Sequence, residues 1–193
     1  MTSRKLEKYD SILNAALKVI AENGFHGAQV SKIAKEAGVA DGTIYLYFKN
    51  KEDILISLFQ QRLGALVDQF HASIQDTHSA ADALRTVCHI HYSELERNIH
   101  LAYVTQIELR QSNIELRKAI GASVKPYIKL IEHILERGVQ SGEFRSNLDV
   151  KLTRSLIFGA MDEVVTSWLI SGQKYSLSAQ VDGTLDFFLK GLN

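Results

Sequence analysis

The amino-acid sequence predicts an all-α protein. Proline occurs once in 193 residues, at Pro126, so few positions would break a helix. Apolar residues recur at spacings of three and four almost throughout, which is the pattern of helices with one buried face. No segment shows a convincing alternation of apolar and polar residues, the pattern of a half-buried strand.

The predicted helices follow one another with short breaks. The first runs from Arg4 to Asn23, and Gly24 is placed to end it in the left-handed conformation. Asn50 is a favoured N-cap for a long fourth helix, with Asp53 at the third position of its first turn. The remaining helices are predicted over residues 30–37, 40–48, 82–98, 100–111, 113–141, 149–170 and 178–192.

Pro126 lies inside the longest predicted helix. Its ring and missing N–H predict a kink or an interruption there, and Gly121 weakens the same stretch. Two interpretations stay open: the segment splits into two ordinary helices, or it bends and thereby opens a ligand cavity.

Composition and charge indicate an ordinary folded protein with a small basic N-terminal part. Hydrophobic residues make up 46% and charged residues 23%, which excludes a disordered chain. Basic and acidic residues number 22 each, but residues 1–51 hold eight basic and five acidic residues, a net charge of +3. Cys88 is the only cysteine, so an intrachain disulfide is excluded. Since neither a signal-peptide core nor a membrane-length apolar run is evident, we expect a cytoplasmic protein.

Residues 30–48 have the spacing of a helix-turn-helix. Ala34 is small where two helices would cross closely, and Gly38 suits the positive φ of a tight turn. Four apolar side chains fill the predicted core: Ile33, Val39, Ile44 and Phe48. The alternative is an ordinary helical hairpin, which would not need the tyrosines and lysines that follow.

The second helix of this helix-turn-helix, predicted over residues 40–48, presents a face suited to the DNA major groove, which is about 12 Å wide. Tyrosine hydroxyls and lysine ammonium groups close by are typical phosphate donors. Gln29 and Ala40 precede the two short helices without being favoured N-caps, and Ser31 or Asp41 could replace them. The candidate DNA-contacting residues are Gln29, Ser31, Lys32, Asp41, Gly42, Thr43, Tyr45, Tyr47, Lys49 and Lys51.

From Asn23 to Glu52 the chain resembles the TetR-type transcriptional repressors, through the strings VSKIAKEAGV and GTIYLYFKNKE. The resemblance implies a homodimer of nine-helix subunits that binds a palindromic operator in double-stranded DNA. It also implies that the first three helices bind DNA and that the last two form a four-helix dimer interface. We therefore expect a DNA-binding domain over 1–51 and a ligand-binding and dimerisation domain over 52–193.

The apolar content of the last two predicted helices agrees with this expectation of a dimer. These helices have more apolar residues than the core of one subunit needs. The sequence therefore predicts a symmetric dimer, in which the same surface of each subunit forms the interface. The residues concerned are Leu156, Phe158, Ala160, Val164, Trp168, Val181, Leu185, Phe188 and Leu189.

The resemblance to one group of these repressors extends over the stretches 39–59, 105–116 and 157–174. That group is the Bacillus-type fatty-acid degradation repressors, which implies release from DNA by long-chain acyl-coenzyme A. Apolar faces suited to an acyl chain and basic side chains suited to phosphates are present. The candidate ligand-binding residues are Leu101, Val104, Ile107, Arg110, Arg117, Lys118, Leu130, Ile134, Phe158, Met161, Val165 and Trp168. Ordinary helix-bundle core and surface charge are the alternative interpretation for each, and a sensor of aromatic or cationic drugs that controls efflux is the competing function.

Catalysis and metal binding are not predicted. No nucleophile elbow, Ser-His-Asp order, phosphate-binding glycine loop or metal motif is present, so we expect no catalytic residue, no metal and no cofactor besides the effector. His89 and His91 would point about 200° apart on a helix, which is unsuitable for joint ligation. Cys88 is expected to be a buried core thiol. A purely protein-binding helical adaptor is the other alternative, but it leaves the lysines and tyrosines near residue 50 unexplained.

Overall fold

The computed structural model describes residues 3–75 and 77–192, and these form nine α-helices and one short 3-10 helix without a strand. The all-α prediction is therefore confirmed. The helices are α1 (Ser3–Gly27), α2 (Val30–Glu36), α3 (Asp41–Ile44), α4 (Lys51–Ile74), α5 (Ala80–Arg97), α6 (Ile99–Glu108), α7 (Ile114–Gln140), α8 (Val150–Ile170) and α9 (Val181–Leu192), with the 3-10 helix at Ser178–Gln180.

The described residues form two compact units. The first comprises the chain up to Gly64 together with His100–Ser123, and the second comprises Ala65–Ile99 together with the chain from Val124. Helices α4 and α7 therefore contribute residues to both units. The functional division at residues 51 and 52 remains a prediction.

Helices α1, α2 and α3 form the predicted helix-turn-helix arrangement in the first unit. Ile33 and Ala34 on α2 and Ile44 on α3 are fully buried. The small side chain of Ala34 permits α2 and α3 to pack closely. Gly38 has φ +67°, which confirms the predicted left-handed turn between α2 and α3.

Helix α3 is shorter than predicted. It ends at Ile44, and residues 45–47 continue as a tighter turn in which Leu46 N–H donates to Thr43 O at 3.1 Å and Tyr47 N–H to Ile44 O at 3.0 Å. These bonds span three residues, as in the 3-10 geometry that often closes a helix. The sequence pattern could not separate this last turn from the helix.

The second unit contains a helical core around α5, which packs against α8 and α9. Polar groups fix the ends of its helices. Glu143 accepts from the N–H groups of Ala80 and Ala81 at 2.7 and 2.8 Å, and Asp149 caps α8 by accepting from Leu152 N–H at 3.0 Å. These bonds satisfy three of the orphan N–H groups at the two helix starts.

Helix α7 is continuous through Pro126. Of the two interpretations left open by the sequence, the split into two ordinary helices is therefore wrong, and the bend that opens a ligand cavity remains a prediction. A proline removes one backbone hydrogen bond, but the neighbouring turns carry buried apolar residues on both sides of it, including Ile120, Tyr127 and Leu130. Their packing holds the helix together across the defect.

Candidate DNA-binding surface and effector-binding region

The candidate DNA-contacting residues lie on α2, on α3 and on the turn that leads into α4. Most of them are exposed, namely Gln29, Ser31, Lys32, Asp41, Gly42, Tyr45 and Lys49, whereas Thr43, Tyr47 and Lys51 are half-buried. Neither α2 nor α3 has a side-chain N-cap hydrogen bond, so Ser31 and Asp41 do not replace the caps missing at Gln29 and Ala40.

The turn before α4 is held by a reciprocal cap. Asp53 N–H donates to Asn50 Oδ1 at 2.8 Å, and the Asp53 carboxylate accepts from Lys49 N–H at 2.9 Å. The predicted capping by Asn50 is therefore confirmed. This cap fixes the backbone at Lys49 while the exposed side chain of Lys49 extends from it.

Lys51 has a structural role that the sequence did not indicate. Its Nζ donates to the carbonyl oxygens of Phe25, Ala28 and His26 at 2.8, 3.1 and 3.3 Å, and it lies 4.6 Å from the centre of the Phe25 ring. An ammonium group has three N–H donors, so none remains for DNA. The phosphate contact predicted for Lys51 has no support in this geometry.

The same turn at the end of α1 is also held by α6. Gly24 has φ +67°, and the next residue, Phe25, donates its backbone N–H to Glu108 Oε1 at 2.8 Å. The second carboxylate oxygen of Glu108 accepts from the Gln111 side chain. Since Glu108 is 4% exposed, these two hydrogen bonds offset the burial of its polar oxygen atoms.

The candidate ligand-binding residues are divided between the two units. In the first unit Leu101 and Val104 are buried, whereas Ile107 is 57% exposed. Arg110 donates to Gln106 O at 2.7 Å, Arg117 reaches Gln111 O at 3.5 Å, and Lys118 forms an exposed ion pair with Glu115 at 3.1 Å. All three basic side chains lie at the surface, as binding to soluble phosphates requires.

In the second unit the predicted apolar residues are mostly core. Leu130, Ile134, Met161, Val165 and Trp168 are each no more than 4% exposed, and Phe158 is half-buried. Their burial agrees equally well with a packed core and with the walls of an acyl-chain site. Their ligand-binding role therefore remains a prediction.

Two polar residues of this unit, His91 and Tyr127, were not predicted as site residues. Both ring nitrogens of His91 and the hydroxyl of Tyr127 are buried and have no hydrogen-bond partner among the described residues. The Tyr127 ring also contacts Phe158 edge to face, with centroids 5.6 Å apart. A histidine and a tyrosine 36 positions apart give no sequence signal of this proximity.

Cys88 is fully buried, as predicted, and its Sγ lies 3.7 Å from Met161 Sδ. Burial raises the pKa of its thiol to about 12, which keeps it protonated. Within residues 3–75 and 77–192, no group of three His, Cys, Asp or Glu side chains is arranged to hold a metal ion. No helix in this part of the chain is long and apolar enough to cross a membrane.

These features define a helix-turn-helix transcriptional regulator with an all-helical C-terminal region. Residues 12–58 match the family described as "Bacterial regulatory proteins, tetR family", and residues 59–191 match "YsiA-like protein, C-terminal region". The chain therefore belongs to the TetR family of bacterial regulators.

Individual relatives agree with this assignment. The chain is 50% identical over 190 residues to the fatty acid metabolism regulator protein of Bacillus subtilis, covering 98% of each. It superimposes on the crystal structure of FadR from Bacillus subtilis in complex with stearoyl-CoA with a TM-score of 0.93, covering 96% of this chain and all of that one. For the fatty acid degradation regulator FadR from Bacillus halodurans the TM-score is 0.92 at 48% identity, with coverages of 96% and 100%.

Proposed function

We propose that this protein is a cytoplasmic, homodimeric repressor that binds a palindromic operator and is released from it by long-chain acyl-CoA. The genes under its control would be those of fatty-acid degradation. The observation that carries the proposal is the 50% identity over 98% of the chain to a fatty acid metabolism regulator, together with the close structural match to FadR bound to stearoyl-CoA.

Operator binding is assigned to the exposed residues of α2, α3 and the turn before α4. Asp41, Gly42, Thr43 and Tyr45 lie where a recognition helix meets base edges. Lys32 and Lys49 carry the phosphate contacts, with Lys49 taking the role that Lys51 cannot fill. Tyr47, whose ring lies 6.0 Å from the ammonium group of Lys5, is assigned a further phosphate contact through its hydroxyl.

Dimerisation is assigned to exposed stripes on α8 and α9. Leu152, Leu156 and Gly159 follow one another at spacings of four and three on α8, and Leu152 and Leu156 are 56% and 62% exposed. On α9, Phe187 is 73% exposed and lies four residues after Gly183. Apolar side chains beside glycines suit close packing against a second copy.

This surface differs from the one predicted from the sequence. Trp168, Val181, Leu185 and Phe188 are each no more than 6% exposed, because they form the core of the single subunit. Of the nine apolar residues that the sequence analysis assigned to the dimer interface, only Leu156 is strongly exposed. The interface therefore uses the opposite side of α9, centred on Phe187.

The effector assignment is tested by fluorescence anisotropy with an operator selected from genomic DNA. Palmitoyl-CoA should release the protein, whereas coenzyme A alone should not. Each methylene buried contributes about 0.8 kcal/mol, so octanoyl-CoA should be a much poorer inducer. Release by coenzyme A or by none of these compounds would reject the acyl-CoA assignment, and release by an aromatic cation would favour a drug sensor.

The dimer assignment is tested by sedimentation of two charge substitutions on α9. Phe187→Glu should yield folded monomers that bind operator poorly, because it places charge in the proposed interface. Leu185→Glu is the matched comparison, and it should unfold the subunit because Leu185 is buried. A wild-type protein that is monomeric at micromolar concentration would exclude the palindromic-operator arrangement.

A further inference from the structure

The second unit contains two polar side chains without hydrogen-bond partners in an aromatic surrounding. His91 on α5 and Tyr127 on α7 have ring centroids 5.7 Å apart. The Tyr127 ring also lies 4.8 Å from that of Phe70 and 5.6 Å from that of Phe158. Tyr127 is 2% exposed, and neither ring nitrogen of His91 nor the Tyr127 hydroxyl has a partner among the described residues.

Such an arrangement is unusual in a protein interior. Buried polar groups nearly always have hydrogen-bond partners, and the exceptions often have a function. Leaving a buried donor unpaired costs free energy comparable to that of a missing hydrogen bond. The hydroxyl of Tyr92, next to His91 in the chain, illustrates the usual situation, since it lies 3.2 Å from Thr184 Oγ1.

Both side chains are neutral hydrogen-bonding groups. Burial lowers the pKa of His91 to about 4, and burial raises the pKa of Tyr127 well above its usual value. An uncharged imidazole and a phenol each provide one donor. They are suited to a neutral acceptor oxygen and not to a carboxylate or phosphate, whose charge would be buried without a counter-charge.

We propose that His91 and Tyr127 bind the thioester carbonyl oxygen of the acyl-CoA effector, an inference that rests on the function proposed above. A carbonyl oxygen has two lone pairs and can accept from the Tyr127 hydroxyl and from the His91 N–H. The thioester carbonyl is the last hydrogen-bonding group before a saturated chain. Phe158, a candidate ligand residue, lies against Tyr127, so the apolar chain would begin beside this polar pair.

The test compares two ligands with two forms of the dimeric protein. The ligands are palmitoyl-CoA and S-hexadecyl-CoA, a thioether with the same number of chain carbons but no carbonyl. The proteins are wild type and Tyr127→Phe, and their dissociation constants are measured by calorimetry without DNA. We expect wild type to bind the thioester about a hundredfold more tightly than the thioether, the effect of two hydrogen bonds of about tenfold each, and Tyr127→Phe to retain only about a tenfold preference, through His91.

Thermal unfolding of the ligand-free protein separates a ligand role from a structural one. Tyr127→Phe removes no hydrogen bond and should leave Tm unchanged or higher. Tyr92→Phe, the matched control, should lower Tm and leave the preference for thioester unchanged. His91→Leu provides a second variant, with the same loss of preference expected should Tyr127→Phe fold poorly.

Three outcomes would overturn the inference. If Tyr127→Phe lowers the affinity for both ligands equally, the hydroxyl contacts another part of coenzyme A. An unchanged thioester preference would exclude contact with the carbonyl, and a lowered Tm of ligand-free Tyr127→Phe would indicate a structural hydrogen bond through water. If wild type binds neither ligand, the proposed effector class itself is wrong, which the calorimetry distinguishes from the other results.

Discussion

Glu108 at the end of α6 accepts a hydrogen bond from the backbone N–H of Phe25, at a distance of 2.8 Å. The two residues are 83 positions apart, and Phe25 stands five residues before the start of α2. On the other side of the same turn, Lys51 donates to the carbonyl oxygens of Phe25 and Ala28. The segment that leads into the helix-turn-helix is thus held by a carboxylate on α6 and an ammonium group on α4.

We expect Glu108→Ala to lower the free energy of unfolding by about 1–3 kcal/mol, since it leaves the buried Phe25 N–H without an acceptor. Glu108→Gln should retain part of the stability, because its amide oxygen can still accept from Phe25 N–H, whereas its amide nitrogen cannot accept from the Gln111 side chain. Operator affinity should fall in parallel for the alanine variant. Urea denaturation and anisotropy measure both effects.

Glu115→Ala is the control for Glu108→Ala, because it removes an exposed carboxylate that pairs with Lys118 at the surface. Its effect on stability should stay within about 0.5 kcal/mol. A Glu108→Ala protein as stable as wild type would show that the hydrogen bond to Phe25 contributes nothing.

Lys49→Ala and Lys51→Met should have opposite signatures. Lys49→Ala should reduce the magnitude of the salt slope of operator binding by about one for each phosphate that Lys49 neutralises, without changing stability. Lys51→Met should instead lower stability, because three carbonyl oxygens at the end of α1 would have no donor. A reduced salt slope with unchanged stability for Lys51→Met would restore its role in phosphate binding.

The stability of the protein should fall between pH 6.5 and pH 4 in part because of His91. Its pKa is about 4 when folded and 6.5 when exposed, so the unfolded chain takes up the proton first as the pH falls. The stability from burying a neutral imidazole is therefore complete above pH 6.5 and is lost toward pH 4, by roughly 3 kcal/mol in total.

The comparison of wild type with His91→Leu isolates this contribution, because carboxylates titrate in both proteins. Urea denaturation at several pH values should give a shallower decline for the variant. If the free energy of unfolding falls with pH in the same way for both proteins, then folding does not lower the pKa of His91.

Gly138→Ala should destabilise the protein by about 1–3 kcal/mol. A Cβ atom at this position of α7 would overlap the ring of Phe144, which is 2% exposed and cannot move freely. Gly121→Ala on the same helix is the control, since nothing lies within 4 Å of its added Cβ. That substitution should stabilise by up to about 1 kcal/mol through helix propensity, and calorimetric unfolding measures both.

The features that the sequence predicted correctly are those set by local chemistry. Gly38 takes a positive φ, and Asn50 caps α4, because one residue and its immediate neighbours decide each of them. Periodic apolar residues likewise located the helices. The short helix α3 was overestimated because a tight final turn and a regular helix share the same apolar spacing.

The features that the sequence did not predict depend on partners distant in the chain. In the sequence motif, Lys49 and Lys51 are equally suited to contact phosphates. The structure distinguishes them, because the ammonium group of Lys51 donates to carbonyl groups at the end of α1. Leu185 and Phe187 are both apolar residues of one helix, and the packing of α5 decides which of them is buried. His91 on α5 and Tyr127 on α7 are far apart in the chain, and only the fold brings their rings within 5.7 Å.

Both tethers at the end of α1 bind main-chain atoms. Glu108 accepts from an N–H group, and Lys51 donates to carbonyl oxygens, so these hydrogen bonds do not depend on which side chains the turn carries, and only the contact of Lys51 with the Phe25 ring does. Any residue except proline at position 25 preserves the amide donor. The side chains on α2 and α3 can therefore change during evolution without loss of these main-chain hydrogen bonds to Glu108 and Lys51. A chimeric regulator that retains Lys51 and Glu108 should accept a foreign recognition helix without redesign of this joint.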